Sequence, residues 1–388
     1  WDMAADITTN GDAREVATIM VPPVEGTNKY FHDAAALMLM KAIQCLIRIR
    51  DKDWSFRDVI LACSNVLDLK ELAEKAHLTE IDRIDDFLDK TKEAKAVGMT
   101  LTVENSNYSV IAAAWDVARR AGRTFSLKKW VAGEGPQILI IGASDDYPTA
   151  LASVNRLFIR RSQQLLLSYK NANAKTGRRT WMLLDEFPSL GTIPHLERFL
   201  TEGRSRGVCA VLGFQHIAQI QKTYDQLANA LLGQCTHQAY FRANDAEMGR
   251  WCASQFGRLI TYDEQGHMKQ NDPAATENDF LQGLRPATEK DGFQCTIRSA
   301  EEVLPSGPQK IEVRPRKDLE ALDPRKIRPE ESGFYGWLHE PRLMPWNPEE
   351  RERMGLSKTQ IPAPAVPLPM VPMSGLVTLD EVDSEFDV

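Results

Sequence analysis

Trp181-Met182-Leu183-Leu184-Asp185-Glu186-Phe187 is the stretch from which the fold reads. Four apolar residues run directly into two carboxylates. An unbroken apolar run of this length suits a strand buried on both faces, as in parallel sheets. Ligands of such sheets bind beyond the carboxyl ends of the strands, where the two acids stand. A carboxylate pair there suits phosphate chemistry: Asp185 would hold the hydration shell of a magnesium ion, and Glu186 would orient or deprotonate an attacking water. A plainer reading fits the same residues, a core strand followed by Asp185 as a helix N-cap. The pattern by itself leaves both open.

The downstream sequence favours the first reading. Ser189-Leu190-Gly191-Thr192-Ile193 leads into a helix that ends at Thr201-Glu202-Gly203-Arg204-Ser205-Arg206-Gly207. A second apolar run, Val208 to Gly213, follows and terminates in Phe214-Gln215-His216. A strand ending in Gln beside one ending in Asp-Glu brings a neutral amide to the terminal phosphate, where it can position water. Arg204 and Arg206 precede that strand, on the side where a neighbouring subunit of a ring would dock. A planar guanidinium offered to a transferring phosphoryl group is the arginine-finger device.

Apolar strands alternating with helices predict an α/β fold with a parallel sheet. Gln137 to Ile141 reads as a further buried strand, Pro148 opens a long helix reaching about Tyr169, and Gln238 to Phe241 reads as a fourth strand. Upstream, residues 29 to 120 carry only helical spacing, with helices expected over Tyr30–Ile49, opening within Asp53–Asp58, over Leu67–Ala76 and over Ile81–Ala96. Thr261 to Gly292 reads as an exposed polar excursion. Ile311 to Trp346, with Phe334, Tyr335 and Trp337, reads as last strands and loops packing back on the sheet. Pro362 to Pro372 and the acidic stretch Asp380 to Asp387 read as a disordered tail. The resulting division is 1–124, mostly all-α; 125–346, the sheet domain; and 347–388, the tail.

The chain has 388 residues, 43% hydrophobic and 26% charged, with a formal net charge of -7. That balance argues against a protein coated with nucleic acid, although a local basic channel remains compatible with it. Arg156, Arg160, Arg161, Lys170, Lys175, Arg178 and Arg179 form the one basic concentration; a solvated helix face accounts for it equally well. Six scattered cysteines with no C-x-x-C pair argue for reduced thiols and against a zinc site. Asp145-Asp146 suits helix capping better than a second acidic site. His195 and His216 have no partner at metal spacing and read as incidental, and Trp54, Trp115 and Trp251 read as core.

Leu184-Asp185-Glu186-Phe187, Leu190-Gly191, Gly203-Arg204-Ser205-Arg206-Gly207 and Gly213-Phe214-Gln215 together resemble the TraD/TraG-type coupling proteins of conjugation, in the FtsK/HerA group of hexameric DNA pumps. The resemblance extends more weakly to Trp1-Asp2 and the helices after it. It implies a RecA-like nucleotide-binding domain with an inserted all-α domain, ATP and magnesium as cofactors, and ATP-driven translocation of single- or double-stranded DNA without sequence preference. By the same resemblance Asp185 and Glu186 are the Walker B pair, with Asp185 reaching magnesium through water. Gln215 is then the sensor and Arg204 the trans-acting finger, with Arg206 as the second candidate. Implied partners are a relaxase, accessory conjugation proteins (near Leu190 to Phe256), secretion-channel components and further copies in a hexamer. The implied place is the cytoplasmic face of a bacterial inner membrane, through an N-terminal anchor absent from this otherwise soluble chain.

One feature departs from the pattern: no G-x-x-x-x-G-K-[ST] loop occurs, nor any Gly-Lys dipeptide. The resemblance places that loop upstream of Trp1-Asp2, so the expectation is a chain that by itself binds ATP poorly and hydrolyses none. Two alternatives stand beside the motor: a non-hydrolytic substrate receptor that docks through its acidic tail, and a chromosome translocase of the same superfamily.

Overall fold

The computed structural model describes residues 1–26, 29–78, 108–142, 148–168, 177–262, 265, 268–285, 293–299, 309–313 and 343–357. Outside these lie the helix expected over 81–96, Asp145 and Asp146, Lys170 and Lys175, the aromatic residues Phe334, Tyr335 and Trp337, and the Pro-rich and acidic stretches of the tail. The chain divides into two compact units, Trp1–Pro345 and Trp346–Val388.

The first unit opens with helices, each begun by local chemistry. α1 (Met3–Asp6) and α2 (Asn10–Met20) are capped by Asp2 and Thr9, and Thr9 forms a reciprocal capping box with Asp12. Such a box satisfies two N–H groups that a helix start leaves orphaned. α3 (Lys29–Arg50) buries Met38, Leu39, Ile43 and Leu46 along one stripe. α4 (Phe56–Ser64) starts at a second box, Ser55 with Asp58, where the sequence predicted a start. α5 (Val66–Lys75), α6 (108–120) and α7 (Leu127–Ala132) complete the block. α8 (Pro148–Leu167) is the long helix expected from Pro148.

β1 (Thr180–Leu184) and β2 (Val208–Leu212) are parallel and in register from Thr180 opposite Val208 to Leu184 opposite Leu212. Between them run a 3-10 turn (Phe187–Leu190), α9 (Leu196–Gly203) and a second 3-10 turn (Arg204–Arg206). α10 (Ile217–Tyr224) and α11 (Leu227–Gln234) follow β2. One core joins Leu184 and Val208 to Ile159, Phe187, Phe199, Ile220 and Leu231. Burying each large apolar side chain of this kind contributes about 1.5–3 kcal/mol.

Several expectations need correction. The apolar run Gln137–Ile141 is no strand: Ile138 is 78% and Ile140 70% exposed, and no strand of the described residues pairs with it. Apolar composition predicts burial, but a strand is defined by a paired neighbour, which the run itself does not encode. β1 is not buried on both faces either, since Leu184 is buried while Leu183 is 70% exposed. Among the described residues, helices pack on the face that carries Leu184.

The fourth strand, β3 (His237–Tyr240), leaves the parallel sheet altogether. It pairs antiparallel with β6 (Phe293–Ser299), which pairs antiparallel with β7 (Gln309–Val313). Thr261 to Gly292 is not merely an exposed excursion. β4 (Arg258–Tyr262) and β5 (Met268–Pro273) form a hairpin, and α13 (Glu277–Leu281) follows. Phe280 and Leu284 from this segment are buried with Tyr240 and Cys252 in a second core. A few apolar residues, Ala275 among them, dock an otherwise polar stretch, and a composition average hides them. α12 (Ala246–Ser254) lies between the cores: its Met248 and Trp251 pack against both.

In the second unit α14 (Pro348–Met354) stands inside the segment read as tail. Asn347 and Glu350 form its capping box and Gly355 ends it in the left-handed conformation. Among the described residues no helix is long and apolar enough to cross a membrane.

Candidate functional site

The parallel register of β1 and β2 brings Asp185-Glu186 and Gly213-Phe214-Gln215 to one edge, the carboxyl end of both strands. The pairing continues past the strands: Gly213 N–H donates to the Leu184 carbonyl at 2.8 Å, and Phe187 N–H donates to the Gly213 carbonyl at 3.1 Å. The Asp185 carboxylate lies over the Gly213 backbone, so a Cβ added there would stand 2.9 Å from its Oδ1. Glycine at 213 is thus what admits the acid. Asp185 and Gln215 are exposed and Glu186 is half-buried.

Glu186 adopts a left-handed backbone, φ 47°, and its carbonyl accepts from the Ser189 N–H at 2.9 Å. For a residue with a Cβ this conformation costs about 1–3 kcal/mol and persists only where its surroundings impose it. Buried Phe187 supplies that anchor, packing edge-on to Phe214 at 6.4 Å and against Tyr224 at 5.7 Å. The plainer reading of Asp185 as a helix cap fails, because the 3-10 turn after it has Glu186 at its cap position and no side-chain cap bond. Among the described residues neither carboxylate has a hydrogen-bond or ion-pair partner.

Arg204 and Arg206 stand at the other edge, in the turn that enters β2. They are separated from Gly213 by roughly 20 Å of chain at about 3.3 Å per residue, too far for a side chain to span. Arg204 is exposed, Arg206 half-exposed, and neither guanidinium has a partner among the described residues. The structure therefore groups Asp185, Glu186 and Gln215 and separates both arginines from them.

Within the basic concentration, Lys170 and Lys175 lie outside the described residues and Arg179 is exposed, while the other four arginines are engaged. Arg160 pairs with Glu15 at 2.6 Å and Arg161 with Asp12 at 2.6 Å. Arg156 donates to the Leu190 carbonyl at 3.0 Å, and Arg178 to the Val131 carbonyl at 2.9 Å. These side chains fasten α8 and β1 to their neighbours.

His216 is not incidental. Its Nδ1 accepts from the Ala218 N–H at 3.1 Å, which caps α10, and its Nε2 lies 3.2 Å from an Asp245 oxygen. The Met248 backbone N–H, with His216 adding to it, holds the Asp245 carboxyl below the ordinary aspartate range. A residue with no predicted partner thus joins two helix starts far apart in sequence. The only sequence hint was its place directly after Gln215. Among the described residues no group of three or more His, Cys, Asp or Glu is placed to hold a metal by itself.

TraD, the coupling protein of Escherichia coli (strain K12), is 23% identical over 278 residues, covering 70% of this chain and 36% of TraD. The chain therefore spans about 36% of the length of that curated relative. Among solved structures, the unbound monoclinic form of the conjugative coupling protein TrwBdeltaN70 superposes with a TM-score of 0.60 at 18% identity, over 82% of this chain and 71% of that one. TrwB in complex with ADP and Mg2+ superposes with a TM-score of 0.59, also at 18% identity and the same coverage. At such identity the likeness establishes the fold, the RecA-like α/β architecture of coupling proteins. The family described as type IV secretion-system coupling protein DNA-binding domain matches residues 1–277, and this chain belongs to it.

Proposed function

We propose that this chain is part of a coupling-protein motor, an ATPase that drives DNA with any attached protein into a type IV secretion channel. The observation that carries the reading is the placement of Asp185-Glu186 and Gln215 at one edge of adjacent parallel strands in register. Asp185 suits a magnesium site: its carboxylate is a hard oxygen donor, exposed and without a protein partner among the described residues. A single carboxylate fits an ion held mainly by water and phosphate oxygens. Magnesium bound there would neutralise developing charge on ATP. Glu186 takes a proton from the attacking water, and Gln215 orients that water through its amide. The chain contains no phosphate-cradling Gly-Lys loop, so by itself it turns over no ATP.

Arg204 and Arg206 lie too far from their own acidic pair to serve it. That separation favours a finger acting on a neighbouring subunit of a hexameric ring, with Arg204, the more exposed, as the first candidate. On this reading the helical block within 1–124 meets the DNA–relaxase substrate and 347–388 recruits a partner. The assembly is held to the inner membrane, and DNA is gripped through its backbone without sequence preference. The test is Glu186→Gln in the full-length protein. DNA-stimulated ATPase should fall at least about a hundredfold, the usual worth of a positioned general base, with DNA binding retained. Undiminished turnover would sink the motor reading.

A further inference from the structure

Among the described residues no side-chain hydrogen bond fixes Gln215, yet both its chain neighbours are held by one helix. On one side Phe214 meets Trp251 of α12 edge-on, ring centroids 6.0 Å apart. On the other, His216 Nε2 lies 3.2 Å from Asp245, the N-cap residue of the same helix. The His216 bond has a fixed polarity. Nδ1 accepts from Ala218, so the ring proton is on Nε2 and points to the carboxylate. Phe214 also touches Phe187, next to Glu186, so the contact runs from the acidic pair through the Gln-bearing turn to α12. α12 is a firm support, since Trp251 packs against both apolar cores and meets Tyr240 at 5.8 Å.

We propose that α12 clamps the turn carrying Gln215, with His216, Asp245 and Trp251 as positioning residues for the amide that orients the attacking water. This rests on the hydrolytic reading above. Each contact alone is modest and partly exposed. Together they restrain the backbone on both sides of one residue, and reactive geometry is sensitive to displacements well below an ångström.

The test uses the full-length protein with Asp245→Ala, Trp251→Leu, His216→Ser and Gln215→Ala. Serine restores the α10 cap but cannot reach Asp245, which separates capping from clamping. Without nucleotide, amide hydrogen exchange over residues 213–219 should be about five- to tenfold faster in Asp245→Ala and His216→Ser, while β2 stays protected. With ATP, Mg2+ and DNA, both variants should lose about ten- to a hundredfold in kcat with little change in KM. In the Gln215→Ala background the same substitutions should cost nothing more, because they act through an amide already removed. Unchanged exchange at 213–219, or full activity in His216→Ser, overturns the clamp. So does an equal further loss in the Gln215→Ala background, which marks a general structural defect. If Gln215→Ala is itself fully active, the hydrolytic assignment of Gln215 fails, whereas the exchange result still reports on the clamp.

Discussion

Gly213→Ala is the sharpest perturbation of the acidic pair, because it adds one methyl group and touches little else. The new Cβ would stand 2.9 Å from Asp185 Oδ1, inside the 3.4 Å at which ordinary contact begins, with Asp185 Cα at 3.5 Å and Glu186 N at 3.7 Å. Only the carboxylate is therefore crowded, and it must give by about half an ångström. It sits at the end of a rotatable side chain and is exposed, so it moves readily. The cost to folding should be that of an off-rotamer side chain, about 0.5–1.5 kcal/mol. The cost to function should be larger, since a displaced magnesium-shell ligand loses about tenfold in kcat. Steady-state ATPase of the full-length variant over a magnesium titration, beside a thermal melt, reads both quantities. Gly207→Ala is the contrasting control. Its φ is +74° and its Cβ would meet the Arg178 backbone oxygen at 2.6 Å, so strain falls on backbone that cannot yield. That variant should lose about 2–3 kcal/mol of stability. Gly213→Ala with turnover within about twofold of the parent, at any magnesium concentration, would refute the idea that Asp185 works from this position.

Two other outcomes follow from the same structure. Arg161→Met should destabilise the chain by about 3 kcal/mol in urea titration, because it breaks a buried pair with Asp12 and strips the Asp6 carbonyl of its guanidinium donor; a loss below about 1 kcal/mol would show that α2 and α8 hold together without it. Burial pushes the thiols of Cys45, Cys63 and Cys252 up to about 12. At pH 8 only about one such thiol in ten thousand is ionised, so iodoacetamide should spare all three in the native protein and label them in urea. Rapid native labelling of Cys45 would contradict its burial.

Much of the parallel α/β unit could be read from the chain because its signals are local. Asp53 to Asp58 announces a helix start, found at the box of Ser55 with Asp58, and Pro148 does the same for α8. The apolar runs ending in Asp185-Glu186 and in Gly213-Phe214-Gln215 identify two strands with chemistry at their ends, and parallel pairing does the rest. What failed depended on partners. Gln137–Ile141 has strand composition but no paired neighbour among the described residues, and Gln238–Phe241 has the right composition for a strand in the wrong sheet. Pairing joins β3 to β6 across more than fifty residues, and no window along the sequence carries that information.

His216 marks the limit of motif reading most clearly. A search for metal spacing asks whether a histidine has another ligand nearby in sequence, and His216 has none. Its two bonds use different physics: a ring nitrogen replaces the usual Ser, Thr or Asp as a helix cap, and the opposite nitrogen reaches the cap of another helix. Only a ring with an acceptor on one side and a donor on the other can do both at once. A serine at 216 would cap α10 equally well and leave Asp245 without its imidazole partner. The histidine is therefore informative for the span between two helix starts that its ring alone can bridge. That span ties a turn at the edge of the parallel sheet to a helix that both apolar cores hold in place.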